Sequence, residues 1–317
     1  MKNSMRTYLL LVLRGMGMGA ADVVPGVSGG TIAFITGIYE ELVNSIKSIN
    51  AKALKLFLTG KWAALWKHIN GNFLLAVFVG IFISVLSLAR VLEYLLEYQP
   101  VLIWSFFFGL ILASTYIVYK KVKKWSFTKV VALVGGTGLA FYITSVTPAT
   151  TTDAFWFVLL SGALASCAMI LPGISGSFIL LLLGKYAFAL HAVNEPVVMD
   201  LILLGTGAVI GIISFANLLS WLLKKHHDVT VAVLVGFMIG SLNKIWPWKK
   251  TVETILVEGE VRPLLEKNIL PVVGDQGDRF WMALLMAAVG IGIILAIELV
   301  LPGSKEKKEE NVKATGA

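Results

Sequence analysis

Apolar residues in this chain come in long unbroken runs, and short polar segments separate them. The runs approach or exceed the roughly 20 residues a helix needs to cross a hydrocarbon layer of about 30 Å. Lipid offers no partner to backbone N–H and C=O groups, so only helices and closed barrels span it. Continuous runs, without the two-residue alternation of barrel strands, select helices. The pattern predicts six spans, at about 73–97, 101–119, 128–147, 198–223, 229–245 and 280–301. It also predicts two helical hairpins, at about 6–43 and 154–190. In the first, a Pro-Gly pair ends the leading arm, because Pro lacks a backbone donor and disfavours helix at the residue before it. The apolar part of the returning arm, Thr31 to Ile38, is too short to cross, so a re-entrant hairpin is expected.

The two halves match in order. Leu13-Arg14-Gly15 leads to Val24-Pro25-Gly26-Val27-Ser28-Gly29-Gly30, and Leu160-Ser161-Gly162 leads at the same spacing to Leu171-Pro172-Gly173-Ile174-Ser175-Gly176-Ser177. Gly37 and Tyr39 then match Gly184 and Tyr186. Ser87 to Arg90 matches Ser214 to Asn217, Gly109 to Ser114 matches Gly236 to Ser241, and Gly136-Thr137-Gly138 matches Gly290-Ile291-Gly292. The expected fold is therefore an all-α integral membrane protein of two inverted-topology repeats, 1–150 and 151–303. Each is a re-entrant helical hairpin plus three transmembrane helices, and a tail follows at 304–317.

Charge supports the inversion. The 317 residues are 57% hydrophobic and 15% charged, with a formal net charge of +8. The basic residues gather in short loops, as cytoplasmic loops do, so no nucleic-acid partner is expected. Lys2, Arg6 and Arg14, then Lys47 to Lys67, Lys120 to Lys124, Lys224, Lys225 and Lys305 to Lys308 all fall on one side if each hairpin returns to its side of origin. The opposite loops, Glu97 to Pro100 and Thr147 to Asp153, carry no Lys or Arg. Three net crossings per repeat is an odd number, so the halves invert and both termini face the cytoplasm. Two segments lie outside the repeat: an amphipathic surface helix at 44–68 and an outer-face insertion at 246–279 with no element assigned.

Irregular backbone at membrane depth is tolerated only where it lines a cavity or is buried in protein. Two matched turns entering from opposite faces mark a central transporter site. Their chemistry fits an anion: Ser28 caps the returning arm, Gly29 and Gly30 admit a ligand to the backbone, Thr31 continues the arm, and Ser175, Gly176 and Ser177 repeat the arrangement. The competing reading is tight turns that permit close helix packing. Asp22, three residues before the turn, is costly inside a bilayer and marks a pathway or an internal pair with Arg14 or Arg90. Glu40 and Glu41 end the arm and reach toward interfacial water; Arg90 lies in an apolar stretch with Asn217 as its counterpart. The single Cys167 and the histidines form no metal-ligand pattern, and no cofactor is expected.

Gly17 to Thr31, with Gly37-Ile38-Tyr39-Glu40-Glu41 and Leu171 to Ser177, resembles the bacterial polyprenyl-phosphate transporters over nearly the whole chain. The resemblance implies a non-enzymatic lipid flippase in the bacterial cytoplasmic membrane, which returns undecaprenyl phosphate to the inner leaflet for envelope synthesis. Arg14, Asp22, Ser28 to Thr31, Glu40, Arg90, Ser175 to Ser177 and Asn217 would handle the substrate, with a proton or sodium ion as coupling partner. The alternatives are an ion or small-anion transporter, or a membrane-embedded polyprenyl-pyrophosphate phosphatase. The phosphatases carry Arg after the motif serine, where this chain has Gly29 and Gly176.

Overall fold

A computed structural model describes residues 5–23, 27–148, 151–194, 197–257, 260–271 and 277–300. The first Pro-Gly pair (Pro25, Gly26), residue 150 and the 304–317 tail lie outside the described residues. Among the described residues the regular structure is helical except for one two-stranded sheet. In the first half α1 (Met5–Val23) is followed by α2 (Gly29–Ile35) and α3 (Tyr39–Lys47), two short helices α4 (Ala51–Leu58) and α5 (Trp62–His68), then α6 (Gly71–Tyr98), α7 (Pro100–Tyr119) and α8 (Phe127–Ser145). The second half runs α9 (Phe155–Ile170), α10 (Gly176–Leu182), α11 (Tyr186–Asn194), α12 (Val198–Lys225) and α13 (His227–Ser241). It continues through strands β1 (Lys249–Val257) and β2 (Glu260–Asn268) to α14 (Gly277–Val300).

Among the described residues five helices are long and apolar enough to cross a membrane: α6, α7, α8, α12 and α14. The expected sixth span is shorter than its sequence pattern. α13 has 15 residues, about 22 Å of helix, and turns break it after Ser241. Most of its side chains are buried, Val231, Ala232, Val235 and Met238 completely, so protein rather than lipid surrounds it.

Glycines set the packing. A Cβ on Gly15 would strike the Val77 carbonyl and one on Gly80 the Val12 carbonyl, which presses α1 against α6. At the matching positions Gly162 meets the Leu204 carbonyl and Gly207 that of Leu159, which presses α9 against α12. A second set joins the halves: Gly109 meets Ala287 and Gly290 meets Phe106 between α7 and α14, while Gly236 meets Leu133 and Gly136 meets Val233 between α8 and α13. Small residues let helix backbones approach closely where no hydrophobic force drives association in lipid. Direction follows from the same contacts. Gly15 and Gly19 meet Val77 and Ile81, Gly207 and Gly211 meet Leu159 and Ala163, and Gly236 and Gly240 meet Leu133 and Thr137. A step of four residues along one helix is a step of four in the same direction along its neighbour, so each of these pairs is parallel.

Three local expectations are corrected. The returning arms are each broken in two, because Gly37 (φ +75°) and Gly184 (φ +65°) adopt left-handed conformations. Ile38 N–H closes on the Ala33 carbonyl at 3.0 Å, and Lys185 N–H on the Leu180 carbonyl at 2.7 Å. These are the glycine-terminated helix ends that an L side chain disfavours. The expected single helix at 44–68 is two: α3 runs into its start, Asn50 caps α4 through the Lys52 and Ala53 amides, and Gly60 (φ +67°) separates α5. Leu54, Phe57, Leu58, Trp62 and Trp66 are exposed, so an apolar face among lysines remains. The 246–279 insertion contains the antiparallel β1–β2 pair, built on the β-branched run Thr251, Val252, Thr254, Ile255 and Val257.

Gly207→Ala should lower the detergent-solubilised melting temperature, because its Cβ meets a backbone carbonyl and overpacking costs about 1–3 kcal/mol. Gly205→Ala, two residues away with open space around it, should hold or raise it through the roughly 0.5–1 kcal/mol helix preference of Ala over Gly. Thermal unfolding of both purified variants checks the contrast.

Candidate functional site

Ser28 and Thr31 join the first turn to the second. Ser28 is completely buried in extended backbone and caps α2, its hydroxyl accepting from Gly30 N–H at 3.1 Å. The same hydroxyl donates to the Leu171 carbonyl at 2.9 Å, next to Pro172-Gly173. Gly173 N–H in turn donates to the Thr31 hydroxyl at 3.0 Å. Gly30 leaves room for the end of α9, since a Cβ there would lie 2.5 Å from the Ile170 carbonyl. Gly173 is left-handed (φ +88°) and packs on Phe237, Met238 and Ser241 of α13. Residues more than 140 positions apart thus satisfy each other's backbone groups away from water, where an unpaired group costs about 1–3 kcal/mol.

The turns differ in what they leave available. In the first, Gly29 N–H donates to the Asp22 carboxylate at 2.7 Å, Gly30 N–H to Ser28, and Thr31 N–H to the Ser28 carbonyl at 2.9 Å. A Cβ on Gly29 would sit 2.5 Å from Asp22 Oδ2, so Asp22 itself fills the anion position at this helix start. In the second, Ser175 makes no side-chain cap. Its hydroxyl lies 2.8 Å from that of Ser177, Ser175 and Gly176 are buried, and Ser177 is half-buried.

The other expected residues lie apart from this junction. Arg14 is eight residues from Asp22 along α1, about 12 Å. It is half-buried, with its Nε unpaired and with Glu41 as its electrostatic neighbour. Glu40 is exposed in the first turn of α3 and contacts His227 Nε2 at 3.2 Å. Arg90 is exposed on α6. Asn217 is exposed and donates back to the Ile213 carbonyl of its own helix at 2.9 Å. The expected pairing of Asp22 with Arg14 or Arg90 is replaced by the Gly29 amide. Among the described residues, no cluster of His, Cys, Asp or Glu is placed to hold a metal ion.

Sequence reasoning missed three lysines. Lys121, just beyond α7, donates to the Phe34 carbonyl at 3.1 Å at the C-terminal end of α2, where a cation meets the helix dipole; burial pushes its ammonium below the usual lysine value. Lys185 is 1% exposed and pairs with Asp153 at 2.5 Å. Lys249 has a buried Nζ whose polar partner is Glu266, at the long distance of 3.5 Å.

Thr31→Val keeps the side-chain shape and strands the Gly173 amide, so it should destabilise the folded protein by about 1–3 kcal/mol. Ser28→Ala removes a cap and the bond to Leu171, and should cost about 1–2 kcal/mol. Both lie in one contact, so a double-mutant cycle on unfolding should show coupling rather than additivity.

Comparison with known proteins agrees with the motif pattern. The profile of the undecaprenyl phosphate translocase-like family matches residues 18–261. A protein of Vibrio cholerae serotype O1 named polyprenyl-phosphate transporter is 46% identical over 296 residues, covering 92% of this chain and 96% of its own. A Staphylococcus aureus protein of the same name is 32% identical over 254 residues, covering 74% of this chain and 85% of its own. No solved structure matches. The apolar helices and these relatives make the chain a multi-pass membrane protein, and it belongs to the undecaprenyl phosphate translocase-like family.

Proposed function

We propose that this protein carries polyprenyl phosphate from the outer to the inner leaflet of the bacterial cytoplasmic membrane without cleaving it, returning undecaprenyl phosphate for envelope synthesis. The observation that carries the reading is the junction of Ser28 with Leu171 and Thr31 with Gly173, two matched turns meeting in one buried contact. The names of the relatives supply the substrate class. A phosphate monoester carries about −1.5 to −2 charges near pH 7, and moving it bare through hydrocarbon would cost tens of kcal/mol by Born estimates. A protein-lined path must therefore replace its water while the prenyl tail stays in lipid.

In this reading the chain is a pair of inverted repeats with re-entrant helical hairpins, both termini cytoplasmic. The parallel course of α1 with α6 supports a hairpin that returns to its side of entry. The parallel course of α8 with α13 supports inversion, because each is reached from its own repeat through a short connection that reverses direction. The head group is received at Ser175, Gly176 and Ser177, the turn whose hydroxyls are not committed to a cap. Asp22 holds the corresponding place in the first turn. A coupling proton on Asp22 would loosen its hold on Gly29 and alternate the two turns between closed and open; Arg14 draws the anion along α1. Hydrolysis is disfavoured because Gly29 and Gly176 stand directly after the motif serines, where the phosphatases carry an arginine that would stabilise phosphoryl transfer.

The test is purified protein in liposomes carrying labelled undecaprenyl phosphate, with leaflet distribution and released phosphate followed together. Exchange without release is expected, and Gly176→Leu should abolish it while the protein still inserts. Phosphate release dependent on Ser28 or Ser175 would replace transport with hydrolysis. Cysteines placed at Lys61 and Gln99 check the orientation in intact cells: an impermeant thiol reagent should label 99 and spare 61.

A further inference from the structure

The β1–β2 pair sits on the end of α13. Asn268 Nδ2 donates to the Asn243 carbonyl and side chain at 2.9 Å, Ile269 N–H to the Trp248 carbonyl at 2.9 Å, and Trp246 Nε1 to the Ile269 carbonyl at 2.9 Å. Against it lies an unbalanced charge cluster. Lys244 and Lys249 each place Nζ 3.5 Å from the same Glu266 oxygen, with side chains 17% and 7% exposed. Among the described residues two ammonium groups share one carboxylate, which leaves one positive charge over. Lys249 Nζ lies 3.8 Å from the centre of the Trp104 ring and, among the described residues, has only the long 3.5 Å approach to Glu266 as a polar partner, although an ammonium has three protons to donate. Burial, only partly offset by Glu266, pushes its value down to about 8.

The cluster adjoins two other features. Lys244 Nζ lies 5.0 Å from the Phe178 ring, and Phe178 directly follows Ser177 in the second turn. On the other side, Asn243, Trp246 and Asn268 rim an apolar groove of about 680 Å³ whose walls include Phe108, Leu133 and Phe141. A surplus buried cation beside an apolar groove matches an amphiphile with a compact anionic head and a hydrocarbon chain.

We propose that Lys244 and Lys249, under the β1–β2 pair, form a receiving site for the phosphate monoester of a prenyl lipid, ahead of the Ser175–Ser177 turn, with the start of its tail in the adjoining groove. The proposal rests on the transport reading for its ligand. A phosphate offers three strong acceptor oxygens, enough to satisfy both ammonium groups at once and to displace Glu266 as their shared partner. The groove selects a lipid phosphate over the free ion.

Full-length protein in nanodiscs, titrated with undecaprenyl phosphate and separately with inorganic phosphate, tests this. Lys249→Met should weaken lipid binding about tenfold or more, the exposed Lys250→Met should change it less than about twofold, and Glu266→Gln should tighten it by removing the competing carboxylate. Inorganic phosphate should bind far more weakly than the lipid. Glu266→Gln weakening the lipid as much as Lys249→Met would mark a structural ion pair and overturn the site, as would equal loss from Lys250→Met or equal affinity for inorganic phosphate. If Lys249→Met melts early, Lys249→Arg replaces it and should retain the lipid; loss of binding in a stably folded arginine variant counts against the site. Leaflet exchange separates the two readings. Wild-type binding that depends on Lys249 but comes without exchange removes transport and leaves the site. Wild-type exchange rates in Lys249→Met at low lipid density remove the site and leave transport.

Discussion

A backbone amide held away from water must find a partner inside the protein, and both turns in this chain meet that demand through each other. Ser28 gives its proton to the Leu171 carbonyl, and Thr31 receives that of Gly173. Neither turn could adopt its irregular path alone without stranded polar groups, so the two halves are tied at their least regular points. The glycine contacts serve the same end. They bring α7 to α14 and α8 to α13, so that two helices of the first half are locked against two of the second.

The symmetry is broken where chemistry enters. Asp22 occupies the helix start of the first turn, and the position matching it in the second half is Met169. On one side the Asp22 carboxylate accepts from the Gly29 amide, and on the other the Met169 thioether chain packs against Gly176, where a Cβ would lie 2.6 Å from its Cγ. Thr31 and Phe178 differ likewise: the first reaches across to Gly173, and the second faces Lys244. The turns lie at matched positions of the sequence, and these few differences give each its own set of partners.

Much of this was legible in the sequence because it depended on local signals. Apolar run length located the long helices to within a few residues, whereas the matched Gly37 and Gly184 stood out only as repeat positions, and the helix ends they make at positive φ were not foreseen. The in-order repeat foretold which helix pairs resemble each other. What was not legible depended on distant partners. Arg90 and Asn217 stood out in apolar stretches, but the outward direction of their side chains is set by which face of α6 and α12 the glycines bury. The β1–β2 pair was hidden because its residues flank prolines and charges that read as loop, and only pairing with each other makes them strands. Lys249 looked like one more loop lysine until Trp104, 145 residues earlier, came to lie beneath it.

The exchange of partners between halves also has a consequence in time. α7 is complete at Tyr119, but the helix that fills its glycine face, α14, begins at Gly277. At roughly 5–20 residues per second of synthesis, the ribosome needs on the order of ten to thirty seconds to supply it. Throughout that interval the bare Gly109 surface waits in the membrane, although the partners of the first turn, Leu171 and Gly173, are made earlier. Termination before the last helix would release a chain with its α7 glycine seam open, a marked target for membrane proteases and a reason for a cell to complete this protein or discard it.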